Sequence, residues 1–232
     1  MTNIGVERWP SYISSQLQPA PGRLAEAAAR RAVTISRQAG CGALVVAEKL
    51  ARRLQEGAPK DGPPWTVFDR NLMDKVLEEQ GLPAYLAQFL PEDRVSKIED
   101  LVADLLGAHP PLWKMVKHSA ETILKLAAAG HVILIGRAAN LITAPLPGVL
   151  HVRLVAPLEN RIAHCREFYK MTPGQARRFC HRQDRGRKRY VKKYFKADVA
   201  DPVLYHLVLN TALVGYDGAA RLIADAALTP PG

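Results

Sequence analysis

The chain has 232 residues, 48% of them hydrophobic, which is enough for the core of one large domain or of a domain with an appended lid. No apolar run approaches the roughly 18 residues of a membrane span, and the first residues lack the basic-then-apolar order of a signal peptide, so we expect no membrane partner. The net charge of +10 predicts an anionic partner, such as a nucleotide or a nucleic acid.

The three cysteines, Cys41, Cys165 and Cys180, are widely spaced and odd in number. This pattern indicates reduced thiols in a cytoplasmic protein and not a disulfide framework. Cys165 follows His164 and Cys180 precedes His181, but adjacent side chains do not easily bind one ion. We therefore expect no zinc site.

Residues 1–30 are predicted to be an N-terminal extension that is dispensable for folding, because prolines and a glycine punctuate it and few large apolar residues occur in it. The predicted domain spans residues 31–228. We find no internal repeat in it.

The stretch 31–50 predicts a strand, a glycine loop and a helix. Val33–Ile35 are β-branched and suit a buried strand, Gly40 and Gly42 bracket a tight loop, and apolar residues then recur at helical spacing. This layout can present backbone N–H groups and a positive helix end to a phosphate.

The loop departs from the P-loop pattern, in which a glycine is followed after four residues by Gly-Lys-Ser/Thr. Counting from Gly42, the first glycine position holds Arg37, the lysine position holds Ala43 and the hydroxyl position holds Leu44. A simple strand-to-helix turn that needs glycine only for its geometry therefore stays open as an alternative.

Four more strands are predicted, at residues 65–69, 131–136, 149–155 and 205–210. Helices are predicted between them, at residues 71–79, in pieces over 83–106, from 110 to a cap at Gly130, from Arg137 to 143, from Pro157, from Thr172 to about 195, and at 216–227. This alternation predicts an α/β fold with a parallel sheet of about five strands and helices on both faces. Asp69 and Arg137 fall where strands end, which is where ligands bind in such sheets.

A basic helical lid is predicted at about residues 172–200. Thr172-Pro-Gly-Gln175 is a good helix start, and Arg177 to Lys196 contain ten Lys or Arg residues and one acid, Asp184. One helical face carries the basic residues spaced by three or four, namely Arg178, Arg182, Arg185, Arg189, Lys192 and Lys196. A solvated helix, a lid over nucleotide phosphates and a nucleic-acid surface all fit this charge. Aromatic residues make up only 6%, so no base-stacking platform is evident.

Five motifs, in order, resemble the cytidylate kinase-like proteins, which are relatives of the nucleoside monophosphate kinases. They are Ser36-Arg-Gln-Ala-Gly-Cys-Gly42, Phe68-Asp-Arg-Asn-Leu72, Ile135-Gly-Arg-Ala-Ala-Asn140, Asp184-Arg-Gly-Arg-Lys-Arg-Tyr190 with Tyr194, and Asp201-Pro-Val-Leu-Tyr205 with Val208-Leu-Asn-Thr211. The likeness covers about residues 31–228. It implies a P-loop kinase-like fold and phosphoryl transfer from ATP, with Mg²⁺, to a nucleoside monophosphate, CMP being the expected acceptor.

The resemblance also implies residue roles. Ser36, Arg37, Gly40, Cys41, Gly42 and Ala43 would bind the donor nucleotide, the loop through its backbone N–H groups. Asp69, Arg137, Arg182, Asp184 and Arg189 would bind the acceptor. Arg37, Arg137 and Arg185 would act in catalysis, Arg37 in place of the missing lysine. Asp184 would orient a lid arginine or meet the acceptor nucleotide.

Some positions depart from the family pattern. True cytidylate kinases have lysine where this chain has Ala43, and aspartate where it has Ala138, and no acid follows the third strand. Because phosphoryl transfer depends on positioning and charge neutralisation, two functions stay open. The first is a small-molecule kinase, and the second is a degenerate P-loop module that binds nucleotide or nucleic acid without turnover. The acceptor base and the oligomeric state are not predicted.

Overall fold

The computed structural model describes residues 32–59, 62–69 and 113–229. The predicted N-terminal extension and the helices predicted at 71–79 and over 83–106 lie outside the described residues. No helix in the described ranges is both long and apolar enough to span a membrane.

Strands and helices alternate along the described chain as expected. The elements are β1 Ala32–Arg37, α1 Ala43–Glu56, β2 Thr66–Phe68, α2 Trp113–Ala129, β3 Val132–Ile135, α3 Ala139–Ile142, β4 Val149–Val155, α4 Leu158–Tyr169, α5 Pro173–Phe195, a 3₁₀ turn Pro202–Leu204, β5 Leu207–Asn210 and α6 Thr211–Leu228. The five strands form one sheet in the order β2-β3-β1-β4-β5, and every pair is parallel. The predicted α/β fold, consistent with a P-loop kinase-like architecture, is confirmed.

The two faces of the sheet differ in polarity. Val33 and Ile35 of β1 point into the main core, where α1 and α6 cover the sheet with aliphatic side chains. Thr34 and Ser36 alternate with them and face the other side, where His151 and Arg153 of β4 are also buried. Helices α2 and α3 pack near β1 on the sheet as well.

Helix α5 is the predicted basic helix and begins at the predicted capping box. The Thr172 hydroxyl accepts from the backbone N–H of Gln175 at 3.3 Å, and the Gln175 side chain accepts from the N–H of Thr172 at 2.8 Å. A second, smaller core cluster joins α5 and α4 to the glycine loop through Ala39, Ile162, Cys165, Ala176 and Cys180. The end of β1 and the basic helix are therefore packed together.

Three element boundaries differ from the predictions. The helix after β3 begins at Ala139 and not at Arg137, because Arg137 and Ala138 both adopt left-handed backbone, with φ of 54° and 56°. Strand β5 begins two residues after Tyr205, because residues 202–204 form a 3₁₀ turn. Helix α6 begins at Thr211 and not at Tyr216, capped by the Asn210 side chain, and it is interrupted at Gly215.

Candidate functional site

The loop between β1 and α1 is a tight turn that requires glycine at two positions. Gly40 and Gly42 have φ of 81° and 74°, in the left-handed region. A Cβ on Gly40 would meet the Arg161 carbonyl oxygen and the Cys165 sulfur, and a Cβ on Gly42 would meet the Tyr216 ring. Both glycines are thus fixed by backbone conformation and by close neighbours.

The backbone N–H groups of this loop form a continuous run of donors that donate to no described residue. Within the described residues, none of the six N–H groups from Gly40 to Val45 donates a hydrogen bond, and α1 has no side-chain cap. The N–H of Gln38, just before them, donates to the Leu154 carbonyl at 3.0 Å. Successive unsatisfied N–H groups at a helix N-terminus attract an anion.

Asp184 of α5 is bonded to the start of the loop. Its Oδ1 accepts from the Ala39 N–H at 2.8 Å and from Arg187 at 2.8 Å, while its Oδ2 accepts from Arg161 at 2.7 Å. Arg161 also donates to the carbonyl oxygens of Ala156 and Ala39. Asp184 therefore contacts Arg187 of the same helix and links α5 to the loop.

A cleft of about 290 Å³ opens over the loop. It is lined by loop residues 37–45, by Asp69 and Ile135 at the ends of β2 and β3, and by side chains of α4 and α5. The Arg37 side chain lies across Gly136, so tightly that a Cβ there would collide with its guanidinium. Arg37 therefore reaches towards the end of β3 and does not fold back over the glycine loop.

Ser36 points to the polar face of the sheet and is not among the described residues that line the cleft. Arg153 donates to its Oγ at 3.0 Å, and the Tyr205 hydroxyl lies 3.2 Å from the same oxygen. Tyr205 also donates to the Val199 carbonyl at 2.9 Å, and its ring lies 5.6 Å below the Arg153 guanidinium. Ser36 is thus linked through Tyr205 to the segment that follows α5. Arg153 is a buried cation that the sequence did not indicate.

The remaining predicted site residues lie at two places. Arg137 is half-buried and lies two residues after the end of β3, and its positive charge opposes the burial that raises the pKa of Tyr190 on α5. Arg182, Arg185 and Arg189 are exposed, on the side of α5 opposite its buried residues. The structure thus brings Arg37, Asp69 and residues 40–43 together in the cleft, with Asp184 at its edge, and does not bring these three arginines of α5 there.

An aromatic wall on the far side of the cleft was not predicted. Phe168 and Tyr169, which end α4, and Phe179 of α5 line the cleft together with His164. The sequence contains few aromatic residues, and the members of this wall are separated along it. The wall was therefore not recognised from the sequence. The spacing of its members was the available signal, since His164 and Phe168 are one helical turn apart.

The three thiols lie close to the loop. The Cys41 thiol donates to the Gln38 carbonyl at 3.0 Å, and the sulfurs of Cys165 and Cys180 are 3.9 Å apart. Burial raises the pKa of Cys41 to about 11, although the charges of Arg37 and Arg187 act in the opposite direction. The Cys41 thiol is therefore neutral at physiological pH and packs in the core.

A family match and a solved structure agree on the fold. Residues 32–213 match the cytidylate kinase-like family. The crystal structure of an uncharacterized protein from Eubacterium ventriosum is similar, with a TM-score of 0.64 at 18% identity over 85% of this chain and 99% of that one. A uronate isomerase from Corynebacterium glutamicum is 29% identical over 114 residues, which are 48% of this chain and only 21% of the isomerase.

The family match spans the glycine loop, the Gly136-Arg137 turn, the Asp184 contacts and the first residues of α6. The described residues that line the cleft also lie within the matched span, as do all five motifs noted in the sequence. This chain belongs to the cytidylate kinase-like family.

Proposed function

We propose that this protein binds a nucleoside triphosphate through the loop 40–45 and transfers its terminal phosphoryl group to a nucleoside monophosphate, CMP being the expected acceptor. The observation that carries the proposal is the row of six N–H groups that donate to no described residue, on loop residues that line the cleft. Such a row suits phosphate oxygens and offers little to a neutral ligand.

Cations near the row would neutralise the transferred group. Arg187 lines the cleft and is held by Asp184 at 2.8 Å, and Arg37 lines it from the end of β1. Positioned guanidiniums can stabilise charge on a transferring phosphoryl group. Because Ala43 leaves the usual lysine position without a cation, and because Arg37 points towards Gly136, we expect turnover to be slow.

A carboxylate in the lining of the cleft suits a nucleotide that is bound together with Mg²⁺. Mg²⁺ is bound by one or two carboxylates together with substrate phosphates, and Asp69 supplies a carboxylate among the described residues that line the cleft. The position of the usual hydroxyl ligand is occupied by Leu44. Asp69 would therefore hold the ion with the phosphate oxygens of the nucleotide, and the ion would supply charge neutralisation when bound.

The direct test is ADP formation from ATP and Mg²⁺ with CMP, UMP, AMP and GMP as acceptors. We expect slow ADP formation that depends on the monophosphate. Arg37→Ala should lower it by about two orders of magnitude without changing the melting temperature, and Ala43→Lys should raise it. Absence of phosphoryl transfer by both the native protein and Ala43→Lys, with nucleotide affinity unchanged in Arg37→Ala, would overturn the kinase proposal.

A second function is favoured by the outer face of α5. Arg182, Arg185 and Arg189 are exposed, and no described acidic side chain forms a salt bridge with any of them. Binding of a polyanion along this face, without turnover, would relieve the repulsion among these charges. Affinity for single-stranded RNA that falls steeply with salt, in a protein that forms no ADP, would support this second function over the first.

A further inference from the structure

Two large aromatic side chains at the end of α4 are exposed inside the cleft. Phe168 is 45% exposed and Tyr169 is 38% exposed, although α4 has a buried face that carries Ile162 and Cys165. The exposed rings therefore lie beside a packed core without joining it. Apolar surface that stays open within a polar cleft is typical of a ligand-contact surface.

Phe168 is backed by a second ring in a fixed arrangement. His164 stacks on it with ring centroids 5.3 Å apart and planes inclined by 15°, and Tyr169 meets it edge-on with centroids 5.0 Å apart. Burial lowers the pKa of His164, which leaves its ring uncharged at neutral pH. The stack is thus a neutral, oriented aromatic surface.

This surface is connected to the glycine loop. The Tyr216 hydroxyl and His164 Nδ1 are 2.9 Å apart, their rings meet edge-on, and the Tyr216 ring covers the position where Gly42 lacks a Cβ. The chain of contacts from Gly42 through Tyr216 and His164 to Phe168 fixes the wall relative to the N–H row. Both surfaces line the same cleft of about 290 Å³.

We propose that Phe168, backed by His164, is the stacking surface for the base of the nucleotide whose phosphates lie on the N–H row. This inference rests on the proposed phosphate-binding role of the loop. An aromatic ring offers its face to any nucleobase, and a purine overlaps it over a larger area than a pyrimidine. The N–H row then binds the phosphates of the nucleotide, and Phe168 of the aromatic wall binds its base.

The test compares ADP with pyrophosphate, which has the phosphates without a base, by titration calorimetry. The native protein should bind ADP more tightly than pyrophosphate. Phe168→Ala should weaken ADP binding about tenfold and leave pyrophosphate binding within about twofold, because only the base loses its contact. Leu222→Ala is the matched control, since Leu222 of α6 is 40% exposed and is not among the described residues that line the cleft.

The outcomes separate the two proposals. Unchanged ADP affinity in Phe168→Ala, with pyrophosphate still bound, would overturn the stacking site and leave the loop proposal standing. If the native protein binds neither ADP nor pyrophosphate, both the stacking site and the loop proposal are overturned. If Phe168→Ala does not fold, Phe168→Trp gives an independent readout. ADP should quench the new indole fluorescence and pyrophosphate should not, and equal quenching by both compounds would contradict stacking.

Discussion

Both faces of α5 carry arginine side chains, but the contacts that these side chains make differ between the two faces. On the inner face, Asp184 joins Arg161, Arg187 and the loop N–H of Ala39 through contacts of 2.7–2.8 Å. On the outer face, Arg182 and Arg189 form no hydrogen bond or salt bridge with any described residue and are exposed. The difference shows that a guanidinium of α5 is fixed near the loop where a counter-charge faces it, and not by charge density alone.

The largest effect is expected from breaking the inner face with Asp184→Asn. This change removes a carboxylate from Arg161, whose side chain is only 10% exposed, and leaves a buried cation without its counter-charge. Because Asp184 is itself 30% exposed, we expect a loss of about 2–3 kcal/mol in the free energy of unfolding, and not the full cost of a buried pair. Denaturant unfolding measures it.

Glu159→Gln is the matched control for Asp184→Asn. It breaks the exposed pair of Glu159 with Arg177, whose N–O distance is also 2.7 Å. We expect a change below about 0.5 kcal/mol, because exposed ion pairs are screened by solvent. Equal losses in the two variants would mean that the inner face contributes no more than an ordinary surface pair.

A pH-dependent effect of intermediate size is expected from the thiol beneath the inner face. The folded state raises the pKa of Cys41 from 9.0 to about 11, so between these values the folded protein retains a proton that the unfolded chain loses. This contribution to stability is complete below about pH 9 and is lost as the pH rises towards 11, amounting to on the order of 2 kcal/mol.

The measurement compares native protein with Cys41→Ala by denaturant unfolding at pH 8 and pH 10.5. The native protein should lose more stability over this interval than the variant does, since other alkaline titrations are common to both. Identical pH dependence would show that the Cys41 thiol is not shielded from solvent as the structure indicates.

The outer face should give the smallest effect on nucleotide binding. Reversing the charge at Arg182, Arg185 and Arg189 to glutamate should leave ADP affinity within about threefold, because these side chains point away from the loop in the structure. The same variant should bind RNA about tenfold more weakly at low salt if the face contacts a polyanion. Loss of monophosphate-dependent ADP formation would instead support the lid role predicted for these arginines from the sequence.

The sequence was sufficient for the sheet, the glycine loop and the capped start of α5, because each depends on local signals. β-branched runs, Gly40 and Gly42, and the Thr172 to Gln175 box act over a few residues. The sequence did not show which face of α5 packs against the rest of the domain. The small buried residues Ala176 and Cys180 identify the inner face, but only packing against α4 shows that they outweigh the basic stripe.

The candidate site was predictable only in part for the same reason. Arg37 was expected to replace the missing lysine, yet its direction depends on space above Gly136, which is set by tertiary contact. The aromatic wall likewise forms from α4 and α5, whose rings meet only after folding. The sequence shows which residue type stands at each position. It does not show which of these residues lie together in the folded protein.

The central claim is that the N–H row from Gly40 to Val45 binds phosphate, and amide-resolved NMR tests it most directly. Titration of the ¹⁵N-labelled protein with pyrophosphate and then ADP should shift the amide signals of Gly40 to Val45 to saturation, the proton shifts moving downfield as the N–H groups acquire acceptors. Shifts confined to the outer face of α5, with the signals of Gly40 to Val45 unchanged, would contradict the claim.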